Sequence, residues 1–257
     1  MKDAFRIAHF NKKALLQEDP PRIEIERVRQ TLKMVPRYWR RIIDVGCGDG
    51  RISRALIASG YEVLGLDWSV KSLLDYPGWC LACDIRMNWP IRELYDGAIC
   101  SEVLEHMSPQ EARQVIEQFK SHTANGFLIT VPARESLEEE QITCGDCGLS
   151  FHIWGHLQTF ADFDALDQLV GSRAIERRTI CERTGLISLS FADKWRRKRG
   201  WYPYHKSCVC PHCGAALKRP SLRTLYSHTI SKGISALKIF TSLIRARRGW
   251  YVCRYEN

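Results

Sequence analysis

The stretch Asp44-Val-Gly-Cys-Gly-Asp-Gly50 stands directly after the apolar run Ile42–Val45 and directly before a segment with helical spacing. Glycines at 46, 48 and 50 permit a tight turn there. They also let a ligand approach the backbone where a Cβ would clash. Two acids follow at the ends of predicted strands, Asp67 in GLDWS and Asp84 in ACDI. Asp67 lies close to the ~20-residue distance at which an acid binds ribose hydroxyls in nucleotide sites. The loop reads G-x-G-x-G and so lacks the G-x-G-x-x-G pyrophosphate fingerprint of a dehydrogenase.

Short apolar runs alternate with helical segments from Arg41 onward. Strands are predicted at Ile42–Val45, Glu62–Leu66, Leu81–Cys83, Gly97–Cys100 and Phe127–Val131. Helices are predicted at about 50–59, 70–75 and 109–121. Ser108-Pro109 opens the last of these, with Glu111 at the capping-box position and proline at the first helical position. This alternation predicts an α/β fold, a Rossmann-like sheet with helices on both faces. The preceding residues 1–40 read as an N-terminal cap, with helical spacing from Ile23 to Val35 (Ile25, Val28, Leu32, Val35). The cofactor-binding core spans 41–134, and 135–158 is an insertion. The core continues through 159–191 with a helix near 160–170 and a strand near 174–182. A basic, cysteine-bearing segment occupies 192–218. The remainder, 219–257, reads as an amphipathic helix (221–245) and a closing strand Trp250–Tyr255.

Length and composition fit an ordinary globular protein, with 45% hydrophobic and 26% charged residues. No apolar run reaches the ~18 residues of a membrane span, and the first residues lack a signal-peptide core. A soluble, cytoplasmic protein is expected. The formal charge of +9 suits anionic partners such as nucleic acid, phosphorylated substrates or an acidic membrane surface, without choosing among them.

The loop and its acids resemble the class I S-adenosylmethionine-dependent methyltransferases. DVGCGDG matches that family's first motif, including its leading acid Asp44. The resemblance implies S-adenosyl-L-methionine as cofactor. Gly46, Gly48 and Gly50 would pass beneath its methionine part, and Asp67 would hold the ribose hydroxyls. Asp84 would accept from the adenine amino group, with Ile85 beside the ring. Cys47, Trp68 and Ser101 complete the expected cofactor set.

Cys-Ser-Glu102-Val-Leu-Glu105-His106 follows the fourth strand. Read as a helical turn, Glu102, Glu105 and His106 are i, i+3 and i+4 and share one face. Two carboxylates and an imidazole can bind Mg²⁺ or Mn²⁺. The E-x-x-E-H arrangement resembles metal-assisted O-methyltransferases, including ubiquinone-pathway and small-RNA terminal 2′-hydroxyl enzymes, which implies a catalytic divalent cation. The same string also occurs in that superfamily without metal. FHIWGH supplies His152 and His156 in the insertion. One of them can complete a metal site, act as general base, ligate zinc or pack on Trp154. The stretch from Cys144 to His156 resembles a bacterial methyltransferase branch, with C-x-x-C-G-x-x-F-H-x-W-G-H, associated with glycan biosynthesis.

Of eleven cysteines, Cys144/Cys147 and Cys210/Cys213 form two C-x-x-C-G knuckles. Four thiolates in tetrahedral array make a closed structural zinc site. Cys208 is a spare candidate ligand. Cys47, Cys80, Cys83, Cys100, Cys181 and Cys253 read as small core hydrophobes. Lys194–Tyr202 interleaves cations with aromatics, a pattern that can stack nucleic-acid bases, meet a membrane interface or lie on a solvated helix face. The basic helix at 221–245 can pack on the main domain or dock peripherally on an anionic bilayer.

The leading expectation is O-methylation of a sugar, glycan or other small hydroxyl acceptor. RNA methylation and a non-catalytic cofactor-fold binding protein remain the alternatives.

Overall fold

A computed structural model describes residues 22–138, 140–183, 208–218, 229, 230, 232, 233 and 246–257. The Lys194–Tyr202 stretch lies outside them, as does the 221–245 helix, except that 229, 230, 232 and 233 are helical. Among the described residues no helix is long and apolar enough to cross a membrane.

The elements are α1 (Arg22–Leu32), β1 (Arg41–Val45), α2 (Arg51–Ala58), β2 (Glu62–Asp67), α3 (Val70–Leu73), β3 (Trp79–Ala82), β4 (Gly97–Ser101) and a single 3₁₀ turn (Leu104–His106). They continue with α4 (Pro109–His122), β5 (Phe127–Ala133), β6 (Gln141–Thr143), β7 (Ser150–His152), α5 (Phe163–Val170), β8 (Glu176–Arg183) and β9 (Ala246–Tyr255). Seven strands form one sheet in the order β3-β2-β1-β4-β5-β9-β8. The first five run parallel, and β9 is antiparallel to both β5 and β8. The expected Rossmann-like sheet is present.

Strand β1 shows why both faces are covered. Ile43 and Val45 enter one apolar core with residues of α4 and α5, whereas Ile42 enters the other with residues that follow α1 and with α2. The period of two distributes the apolar residues of the strand over two cores. Ser108 caps α4 as its sequence predicts: its hydroxyl accepts from Glu111 N–H at 3.3 Å, and the Glu111 carboxylate accepts from Ser108 N–H at 2.8 Å.

Several boundaries differ from the sequence expectation, and three of them show what sets them. Strand β3 spans Trp79–Ala82 rather than Leu81–Cys83. As the edge strand it is positioned by pairing with β2, from Leu64↔Trp79 to Asp67↔Ala82, and not by its own apolar run. Strand β9 starts at Ala246 instead of Trp250, because its ladder with β8 runs on past Gly249, where the ladder with β5 ends, and keeps the basic residues there extended. Helix α1 ends at Leu32, and Ile25, expected on its apolar stripe, is 54% exposed.

After β3 the chain crosses back to lay β4 against β1, pairing Val45 with Cys100. Connections from these two neighbours diverge at their carboxyl ends. Such a switch point opens the crevice where ligands bind in open α/β sheets.

Candidate functional site

Gly46 and Cys47 leave β1 with their N–H groups bonded to Leu66 O at 2.7 and 3.1 Å. Gly46 has φ +68°, and a Cβ there would lie 2.4 Å from a Val103 methyl group, so the close approach of the two loops demands glycine. At Gly48, by contrast, a Cβ would meet nothing within 4 Å. The loop is open on the side a ligand would enter.

Asp67 at the end of β2 accepts from Gly48 N–H at 2.9 Å and Ser69 N–H at 2.7 Å. Burial raises its carboxyl, and these backbone donors oppose the shift. Asp44 is 2% exposed and accepts from the Ser53 hydroxyl, which in turn lies 2.6 Å from the Tyr76 hydroxyl. It supports the loop from beneath rather than lining it. Burial raises Asp44 to about 6. Its folded pKa lies above the unfolded value, so its protonated form favours the fold. Stability from this group is full below about pH 4 and falls as pH rises through about 6, by about 3 kcal/mol in total. Asp44→Asn should flatten that segment of the stability–pH curve; urea melts between pH 4 and 7 with an unchanged slope would reject this assignment.

Asp84 forms a forked pair with Arg86, with N···O distances of 2.6–3.1 Å, and Arg86 also reaches Glu111 at 2.9 Å and lies over the Trp68 ring. Arg86 holds the Asp84 carboxyl below its ordinary value. Ile85 is buried beside them. The Ser101 hydroxyl, at the end of β4, lies 2.6 Å from the Thr130 hydroxyl.

The shared helical face expected for Glu102, Glu105 and His106 is not formed. Glu102 has φ +59°, and the following residues make only one 3₁₀ turn. The turn still brings Glu105 and His106 together, their N···O distance being 4.0 Å. Glu102 points elsewhere: it accepts from Trp250 Nε1–H at 2.6 Å and Thr130 O–H at 3.2 Å. Glu105 is 1% exposed, and neither of its carboxylate oxygens has a hydrogen-bond partner among the described residues. Burial, with Glu102 and Glu135 nearby, raises its carboxyl well above the usual range.

His152 and His156 enter this region from the insertion. Their rings stack at 4.6 Å, and the His156 ring meets that of His106 edge-on at 4.8 Å. Ligand atoms of Glu105, His106 and His156 lie within 4.8 Å of one another, as do those of Glu135, His152 and His156. Burial and the neighbouring His156 lower the His152 imidazole to about 4.

Sequence reasoning passed over four residues here. Arg27 of α1 is 5% exposed, paired with Glu24, and bonded to Ser101 and Thr130. It belongs to an amphipathic helix, where an arginine ordinarily reads as solvated. Thr130 and Trp250 sit on strands, where nothing local marks them. Glu135 belongs to an acidic run, but its place directly after β5 was a usable signal.

Apart from this site, the sulfurs of Cys144 and Cys213 and those of Cys147 and Cys210 each lie 3.6 Å apart. The two knuckles fold alike. Cys144 and Cys210 N–H groups donate to Leu149 O and Ala215 O, both at 2.8 Å, while Gly148 and Gly214 both adopt φ +73° and donate back to Cys144 O and Cys210 O at 3.0 Å. Backbone N–H groups of Cys147 and Asp146 lower the Cys144 thiol to about 7. Cys208, the spare candidate ligand, is buried in a small apolar cluster with Ile142 and Ile153.

Residues 43–128 match the family described as "Methyltransferase domain". Among curated relatives, the "Ubiquinone biosynthesis O-methyltransferase" of Bordetella avium (strain 197N) is 36% identical over 78 residues, 26% of this chain and 32% of that protein. The protein of the same name from Photobacterium profundum is 28% identical over 101 residues, 35% and 43% of the two chains. The chain thus spans about a third of the length of the first of these relatives. The N-methyltransferase NodS from Bradyrhizobium japonicum WM9, solved with S-adenosyl-l-homocysteine, aligns with TM-score 0.52 at 14% identity over 96% of both chains. The [4+2]-cyclase SpnF aligns with TM-score 0.52 at 11% identity, over 90% of this chain and 80% of that one. These likenesses show the fold, and the cyclase demonstrates that this fold does not dictate one reaction.

Proposed function

We propose that the chain is an S-adenosyl-L-methionine-dependent methyltransferase acting on a hydroxyl of a small acceptor such as a sugar. The observation that carries this reading is the juxtaposition at one sheet edge. The open glycine loop with Asp67 leaves β1 and β2, and the cluster of buried Glu105 with half-buried His106 and His156 lies beside the adjacent β4. The O-methyltransferase names of the curated relatives favour oxygen as acceptor atom.

The cradle fits the cofactor: Gly48 leaves room above the loop, and Asp67 retains lone pairs for ribose hydroxyls. Bound there, the cofactor supplies an electrophilic methyl group; the acceptor oxygen takes it as the carbon–sulfur bond breaks. The protein's part is to hold that oxygen in line, exclude water and accept the hydroxyl proton. Where no cation occupies its free lone pair, His156 would take that proton.

The two oxygens of buried Glu105, without a hydrogen-bond partner among the described residues, also fit a divalent cation, which Glu105, His106 and His156 would hold. It would polarise the acceptor hydroxyl. Cys144, Cys147, Cys210 and Cys213 fit structural zinc, since their matched loops gather four sulfurs within 4.8 Å.

Transfer of labelled methyl from the cofactor to glycan extracts, small hydroxyl compounds and RNA in parallel tests the reading. Label in a small hydroxyl acceptor supports it, label in RNA alone replaces the acceptor class, and no label anywhere sinks it. Asp67→Ala should weaken cofactor binding by about 1–3 kcal/mol, the scale of hydrogen bonds to a charged group. Calorimetry showing unchanged affinity would remove Asp67 from the cradle.

A further inference from the structure

Only two non-glycine residues among those described have positive φ, Glu102 and Arg134. They occupy equivalent places, next to the carboxyl ends of the neighbouring strands β4 and β5. Arg134 has φ +53°, a left-handed conformation that an arginine adopts at a cost and keeps only when its surroundings enforce it. They do: its N–H donates to Phe160 O at 3.0 Å and its Nε–H to the Tyr251 hydroxyl at 3.1 Å. The next residue is Glu135.

Each oxygen of Glu135 faces a different imidazole. Oε2 lies 2.5 Å from His156 Nδ1, and Oε1 lies 3.7 Å from His152 Nε2. A carboxylate only accepts, so the His156 ring proton resides on Nδ1. His152 has the opposite assignment. Its Nδ1 accepts from the His156 backbone N–H at 3.2 Å, which puts its proton on Nε2. That nitrogen is buried and unpartnered among the described residues, with its ring side chain 3% exposed.

We infer that Glu135 is a positioning residue that fixes the ring proton of His156 on Nδ1 and thereby leaves Nε2 as the one basic nitrogen of a ring that packs against His106. His152 seats the His156 backbone and takes no part as a ligand through Nε2. A fixed tautomer matters because a neutral imidazole offers one lone pair, and only the nitrogen that bears it can accept a proton or bind a cation. The inference deepens the methyl-transfer reading and rests on it for the role of His156, but the tautomer itself is measurable without turnover.

Long-range ¹H–¹⁵N spectra of the imidazoles, recorded on the full chain without added divalent cation, test this directly. In the wild type His156 should show a protonated Nδ1 and a bare Nε2, and His152 the reverse. Glu135→Ala should release the His156 tautomer and lower kcat by roughly 10–100-fold, the usual effect of losing an orienting partner, with KM for the cofactor unchanged. Glu135→Gln, whose amide oxygen still accepts, should retain the tautomer and recover part of kcat. A wild-type His156 protonated on Nε2 overturns the inference, as does a Glu135→Ala protein that keeps both tautomer and kcat. If Glu135→Ala does not fold, the wild-type spectrum and Glu135→Gln still decide. The expected tautomers in a protein that transfers no methyl group would support the role of Glu135 and reject the methyl-transfer reading.

Discussion

Replacing Cys144 and Cys147 together by serine should remove a single tightly held zinc from the chain and abolish methyl transfer, while cofactor affinity stays close to wild type. The asymmetry follows from what each part of the fold rests on. Among the described residues, the small lobe formed by the β6–β7 hairpin and residues 208–218 has a small apolar cluster of buried Ile142, Ile153 and Cys208, with half-buried Phe151, Trp154 and Leu217 against them. Such side chains contribute ~1.5–3 kcal/mol each, against an apparent ~10–16 kcal/mol for a structural zinc. Without the metal, nothing of comparable size among these residues ties the hairpin to the second knuckle. Strand β7 ends at His152, and His156 follows within one turn of chain. Freeing the hairpin therefore frees the histidines. The glycine loop and Asp67 belong to β1 and β2, whose cores lie elsewhere, so cofactor binding should survive. Metal analysis with calorimetry on the same preparation checks both halves. A fully active wild type free of zinc would dismiss the zinc assignment.

His156→Ala should lower kcat by ~10²–10⁴, as loss of a general base does, with cofactor affinity intact. His156 is 10% exposed at its side chain and held at Nδ1 by Glu135, so one defined nitrogen, Nε2, keeps its lone pair for the proposed proton transfer. His106→Ala separates two forms of the mechanism. If a cation sits on Glu105, His106 and His156, that variant should lose the Mg²⁺ or Mn²⁺ dependence of turnover along with the rate. If His156 works alone as base, His106→Ala should keep most of the rate and wild-type turnover should persist once divalent cations other than any zinc on the four cysteines are withheld. Full activity in both variants would leave acceptor positioning as the whole mechanism. Glu105 makes the cation form physically reasonable: a carboxylate 1% exposed and without a hydrogen-bond partner among the described residues must either hold a proton or face a positive charge.

Much of this was legible in the sequence because it is local. The glycine loop between strand and helix, Asp67 at a strand end, the capping box at Ser108 and the paired C-x-x-C-G knuckles are each set by residues a few positions apart. Local sterics and hydrogen bonding determine them wherever the chain folds. The predicted i, i+3, i+4 face failed for the complementary reason. Its spacing was sound, but Glu102 is drawn into a left-handed conformation and held by Trp250 and Thr130, which lie on β9 and β5.

What the tertiary structure alone decided is the composition of the buried polar cluster. Arg27 comes from α1, Thr130 and Glu135 from within and just beyond β5, His156 from beyond β7 and Trp250 from β9. Of these only His156 carries a local mark, the FHIWGH motif; an arginine on an amphipathic helix or a glutamate in an acidic run is ordinarily solvated. They converge because the strand order sets β4, β5 and β9 side by side and sends their neighbouring loops to the same edge. Once gathered there out of water, each polar group must find a partner in the protein or a ligand. That requirement arises only in three dimensions, and it sets Glu105, His106 and His156, which the sequence offered as candidates, beside Glu135, which it did not.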